Sequence, residues 1–194
     1  MLVEFIDFVD SILPAVDPDF REGAKAAILQ FEKEGHILNF LTNECLITLS
    51  QGDIISDIPF TYFEEDGKQQ IFKSDAMVIS TSCHIDQKEK LVMVPVLPLD
   101  IYDGNTVELK RNTVYDYMYL PDCKMNNKFV NFSIWCTYNK ELIMKQITEG
   151  KVKRLASLSQ LGYYFLVVKL TVYLMRKEDG VTLDERKLKM LGAF

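Results

Sequence analysis

The spacing of hydrophobic positions changes character near residue 50 and again near residue 140 of this 194-residue chain. Between Leu2 and Leu13, apolar side chains at Leu2, Phe5, Ile6, Val9, Ile12 and Leu13 recur every three to four residues. That spacing predicts a short amphipathic helix ended by Pro14. Asp17-Pro18 supplies an N-cap and a first helical position for a second helix, carried by Phe20, Ala24, Ala27, Ile28 and Phe31 and closed by Gly35. A third apolar run, His36 to Leu49, predicts a helix leading directly into the next region. Residues 1–50 thus read as a helical preface.

From Gly52 the pattern turns to short runs of β-branched and aromatic residues separated by turn signals. Strands are expected at Asp53–Ile55, Phe60–Phe63, Gln70–Ser80, Leu91–Leu97, Val114–Leu120 and Phe129–Thr137. Asp66-Gly67 supplies a positive-φ hairpin turn within Glu64–Lys68. Many short strands with tight turns predict an antiparallel barrel over residues 51–138, a closure that removes exposed sheet edges.

Beyond the barrel, residues 139–194 return to helical spacing. Lys140 to Glu149 predicts a helix ended by Gly150, and Ser157-Leu158-Ser159-Gln160 has the form of a capping box before a long helix. In that helix Leu161 to Met175 is almost wholly apolar. The stretch is shorter than the roughly 20 residues a membrane span requires and contains Lys169, so it reads as a buried helix. After a polar break at Asp179-Gly180, Leu183, Leu188, Met190 and Leu191 suggest a last short helix. The fold class is therefore α+β, a single domain in which a small antiparallel β-barrel is flanked by N-terminal helices and a long C-terminal helix.

Charge and cysteine content narrow the setting. The net charge of -6 hides an asymmetry, with 14 acidic and 4 basic side chains over residues 1–70 against 14 acidic and 18 basic over the rest. The bland reading of this asymmetry is solvated faces; the alternative is complementary surfaces within the fold or toward a partner. Cys45, Cys83, Cys123 and Cys136 show neither metal spacing nor a disulfide framework, which fits reduced thiols in a cytoplasm. The acidic N-terminal segment has no positive leader of a secretion signal. No metal, no cofactor and no membrane association are expected.

The densest candidate chemistry is Ser80-Thr81-Ser82-Cys83-His84-Ile85-Asp86, directly after the apolar strand Ala76–Ile79. A loop at a strand end presents such side chains from a rigid scaffold. Cys83 and His84 are adjacent and diverge, so they do not form a nucleophile–base pair together. The common role of a free cysteine is a small structural hydrophobe, and that of a turn histidine a hydrogen-bonded surface imidazole. A second candidate surface is the basic stretch Lys140, Lys145, Lys151, Lys153 and Arg154, preceded by Trp135 and Tyr138. Such a stretch suits a phosphate backbone with a stacked base, or simply a solvated helix face.

Gly52-Asp53-Ile54-Ile55, Ile58-Pro59-Phe60, Ala76-Met77-Val78-Ile79-Ser80 and Leu91-Val92-Met93-Val94-Pro95-Val96 together resemble the MazF/PemK-type toxins, bacterial ribonucleases built on a small SH3-like barrel. The resemblance covers residues 51–99. It implies an SH3-like barrel fold and places the chain in a bacterial or phage conflict system. Where that family has Arg-Pro before its Val-Ile-Ser strand this chain has Ser74-Asp75, with Lys73 the nearest cation, and Leu97 replaces a threonine. Lysine lacks the planar fork of arginine for a scissile phosphate. Two readings follow. One is a binding or accessory module that recognises a protein or nucleic-acid partner, with oligomerisation open. The other is an endoribonuclease using Lys73, Ser80, Ser82, Cys83 or His84.

Overall fold

The computed structural model describes residues 40–121, 125, 127–175 and 180–191, together with Glu22, Gly23, Lys25, Ala26 and Leu29. Those five positions are helical, in agreement with the second expected helix; the first, Leu2–Leu13, lies outside the described residues. The third expected helix is overturned over residues 40–49, which run as irregular chain. Leu41 forms a bridge with Leu158, and Thr42 N–H donates to Ser157 O at 2.9 Å. Apolar content drew the helical reading. The apolar residues Phe40, Leu41 and Leu49 are buried, but as anchors of a loop.

Seven antiparallel strands follow: β1 (Ile54–Phe63), β2 (Gln69–Val78), β3 (Lys90–Pro98), β4 (Tyr117–Leu120), β5 (Lys128–Asn131), β6 (Cys136–Asn139) and β7 (Arg154–Ala156). Their order is β4-β5-β3-β2-β1-β7, with β6 also paired to β3. Beyond the N-terminal helical positions, five α-helices are described: α1 (Ser82–Gln87), α2 (Thr106–Lys110), α3 (Lys140–Thr148), α4 (Gln160–Leu174) and α5 (Gly180–Leu191). No helix among the described residues is long and apolar enough to cross a membrane.

The first two expected strands are one. Asp57 takes a positive φ of 58° and shifts the register between Ile55 and Ile58, so both side chains face the same core despite their odd spacing. The even residues of β1 beyond this bulge pair with β2, which leaves Pro59 on the outer edge where its missing N–H removes no ladder bond. Pro95 is tolerated similarly. It lies where the outer neighbour of β3 changes from β6 at Lys90–Met93 to β5 at Val96–Pro98.

The strands bury two faces. One holds Ile54, Met77, Val94, Val96 and Val130 against Phe165, Leu166 and Leu170 of α4. The other holds Ile55, Phe60, Val78, Leu91 and Met93 against Ile85 of α1 and Ile143 of α3. Gly23 of the N-terminal helix sits beneath the ring of Tyr164.

The expected closed barrel is also corrected: the sheet curls but does not close. β6 faces the outer edge of β1 across a seam bridged by side chains, Tyr138 Oη donating to Pro59 O at 2.7 Å and Cys136 Sγ lying 3.8 Å from Thr61 O. A backbone ladder there would need a donor that Pro59 lacks. The edges at β4 and β7 remain strand ends of an open sheet.

Candidate functional site

Val78 ends β2, and Ser80 continues its path. Ser80 Oγ accepts a bond from Val92 N at 2.8 Å and its own N–H reaches Val92 O. The hydroxyl nominated as a catalyst therefore serves as a rung between β2 and β3, and the side chain is buried. The next residues were expected to form a loop, but they coil into α1. Thr81 is its N-cap, with Oγ1 accepting from His84 N at 3.4 Å, and Lys88 N closes the end on His84 O. Ile85 anchors the helix in the core, while Ser82, Cys83, His84 and Asp86 are exposed.

This corner bounds an open groove of about 600 Å³ lined by Ser80, His84, Gln87, Lys88, Glu89, Lys90 and Val92. Ser80 and Val92 give it a floor, and the imidazole and the charged run give it a rim carrying both signs. Sequence reasoning stopped at Asp86 and missed Gln87 to Lys90. Four consecutive polar side chains between a helix and an apolar strand were the available signal.

Cys83 Sγ lies 3.3 Å from Thr81 Oγ1. Across from it, on α4, burial pushes the Tyr163 phenol above its usual range, with further contributions from Tyr164 and Cys83. Lys73 is not brought here. It is exposed on β2 opposite Pro59, and seven extended residues separate it from Ser80 by roughly 20 Å. The five candidates therefore do not converge on one reacting centre.

The basic stretch is likewise divided. Lys140 Nζ donates to Ile85 O at 2.7 Å, placing a cation at the C-terminal end of α1. Lys145 and Lys151 both pair with Glu149, at 3.8 and 2.7 Å. Lys153 has an exposed side chain, while its backbone exchanges bonds with Ser56. Arg154 turns inward: its Nη2 reaches Asp53 Oδ2 at 2.6 Å and Thr48 O at 3.0 Å.

Asp53, fully buried, also accepts from Ser157 Oγ at 2.5 Å and Ser50 N at 2.9 Å. Gly52 precedes it with φ of 88°. The Gly-Asp that opens the strand region thus ties β1 to β7. Removing one partner of such a buried pair typically costs about 3–5 kcal/mol.

Among the described residues, no group of three or more His, Cys, Asp or Glu side chains is placed to hold a metal ion. No protein-family model matches the chain, and no curated protein matches it in sequence.

Proposed function

We propose that this chain is a binding module on a curled SH3-like sheet, an accessory protein that recognises a protein partner through the groove beside α1. The observation supporting this reading is the make-up of the groove. An apolar floor at Val92 is rimmed by His84, Gln87, Lys88, Glu89 and Lys90, held by a helix and strand anchored in the core. A rim of both signs suits a peptide of mixed charge. For a phosphate backbone, Glu89 and the neighbouring Asp86 oppose the two lysines. The resemblance to MazF/PemK-type barrels is the reason to set this activity in a bacterial or phage conflict system, in the cytoplasm. The competing reading, a ribonuclease with a non-standard site, has to account for the distance of Lys73 from the groove and for the bonded hydroxyl of Ser80.

Affinity capture from bacterial lysate with mass spectrometry, run in parallel on the full chain and on Lys88→Glu/Lys90→Glu, tests the proposal. The expected result is a defined protein retained by the parent and lost by the charge-reversed variant. Retention that is indifferent to the reversal, or cleavage of a mixed RNA by the parent but not by His84→Ala, overturns it.

A further inference from the structure

The charge asymmetry of the chain takes a local form at the two ends of β2. At its start, the turn that joins it to β1 carries Glu64, Glu65 and Asp66, and the nine residues from Thr61 to Gln69 are all exposed. Glu64 N donates to Lys68 O and Gly67 N to Glu64 O, both at 2.9 Å, and Lys68 Nζ pairs with Asp66, so the tip has a defined shape. Glu64 and Glu65 make no ion pair among the described residues. In the ladder behind them Phe63 opposes Gln69 and Ile71 opposes Thr61. Phe63 and Ile71 are therefore diagonal neighbours on one face, 71 % and 70 % exposed.

Beyond the other end of β2 lies the groove beside α1. The carbon stems of Gln87, Lys88 and Lys90 extend its apolar floor at Val92. Lys90 stands two residues before Val92 on β3, so their side chains share a face. Neither Lys88 nor Lys90 makes an ion pair among the described residues. Roughly 35 Å of extended chain separates Gln69 from Ser80, so the tip cannot reach the groove of its own copy.

We infer that the groove takes the β1–β2 turn of a second copy of this chain, with Phe63 and Ile71 on the floor and Glu64 and Glu65 against Lys88 and Lys90. This rests on the reading of the groove as a protein-binding site and names its occupant. Charge selects that occupant, because two carboxylates without a cation meet two lysines without a carboxylate. Shape agrees, since an exposed tip enters an open groove without displacing packed residues, and the faces brought together are apolar. Every copy carries both surfaces at opposite ends of one strand, so a copy whose groove is filled still presents its tip. The contact is heterologous and adds copies head to tail. Nine tip residues against seven lining residues fall short of the roughly 20–30 a side of a standard interface, so each step is weak and reversible.

Sedimentation velocity on the full chain under reducing conditions and low salt, from about 10 to about 500 µM, should show a weight-average sedimentation coefficient that climbs past that of a dimer. Phe63→Ser/Ile71→Ser and Lys88→Glu/Lys90→Glu change only exposed positions, and each should weaken self-association by roughly tenfold or more. Mixed in equal amounts, the first variant supplies an intact groove and the second an intact tip, so the pair should form a 1:1 complex that grows no further. Adding Glu64→Lys/Glu65→Lys to Lys88→Glu/Lys90→Glu in one chain should restore self-association. A parent that stays monomeric throughout the range overturns the inference, while the groove reading stands if a lysate protein is still retained and is lost on charge reversal. Self-association indifferent to Lys88→Glu/Lys90→Glu, or a mixture of the two variants that stays monomeric, also overturns it.

Discussion

Lys169 lies on the buried side of α4 with only 2 % of its surface exposed. Its Nζ donates to Val114 O at 2.5 Å and to Asn112 O at 3.1 Å, tying α4 to the connection between α2 and β4. Asn112 holds a positive φ of 54°, and its amide brackets the backbone of Tyr119. Burial lowers the Lys169 pKa to about 8, against an opposing influence from Asp116. A folded pKa below the unfolded one means that the unfolded chain holds more protons between the two values. Stability contributed by this group should therefore rise as pH climbs from about 8 toward 10.5 and stay flat below. The gain is at most about 3 kcal/mol. The buried phenol of Tyr119 and the half-buried one of Tyr138 act in the opposite direction above pH 10, since desolvation raises their folded pKa values. The difference between parent and Lys169→Met isolates the lysine. Urea denaturation from pH 7 to 10 should show the parent gaining on the variant, and parallel curves would refute the assignment.

Elements were read from the sequence with uneven success, and the misses have local causes. Helix α3 and its end at Gly150 were legible because Asn139 caps it and Gly150 takes a φ of 71°. α4 was legible as a long apolar run, but its start was not. Ser157 and Gln160 have capping-box spacing, yet the N-cap is Ser159, whose Oγ accepts from Gly162 N, because Ser157 is committed to Asp53 and Leu46 N. Spacing cannot reveal a partner 104 positions away in the chain. β7 went unread because its three residues follow a basic run, and Arg154 took its apparent meaning from those neighbours rather than from Asp53. The candidate stretch Ser80 to Asp86, read as a loop, takes helical form from Ser82, and the Gln87 to Lys90 rim of the groove lies just past it. Gly162 offers a test of the α4 contact. Helix propensity alone makes Gly162→Ala stabilising by up to about 1 kcal/mol. A Cβ there would lie 2.3 Å from the backbone oxygen of Phe40. The substitution should instead destabilise by about 1–3 kcal/mol, the usual penalty of overpacking. A rise in melting temperature would show that the Phe40 segment yields.

At the scale of the whole molecule, the curl of the sheet is held at its open side by the seam between β6 and β1. Phe60, Phe72 and Tyr138 form a contiguous aromatic group there, with Phe60 stacked on Phe72 and edge-on to Tyr138. The hydroxyl of Tyr138 then spans to Pro59 O, an acceptor facing away from the β2 ladder. Cys136 makes the second, weaker contact to Thr61 O. Since β1 and β2 stay paired to Phe63–Gln69, beyond the last pair of β2 with β3 at Asp75–Val96, this seam fixes the direction of the hairpin's end relative to the body of the protein. Tyr138→Phe keeps the ring packing and deletes the tie. It should lower stability by about 1 kcal/mol, the usual net worth of one hydrogen bond. The amides of Phe60, Tyr62 and Phe72, which close the β1–β2 ladder, should exchange roughly fivefold faster by that same free energy. Hydrogen exchange followed residue by residue measures this directly. Unchanged exchange together with an unchanged urea midpoint would mean that the curl is set by the aromatic packing alone and that the hydroxyl contributes nothing to closing the sheet.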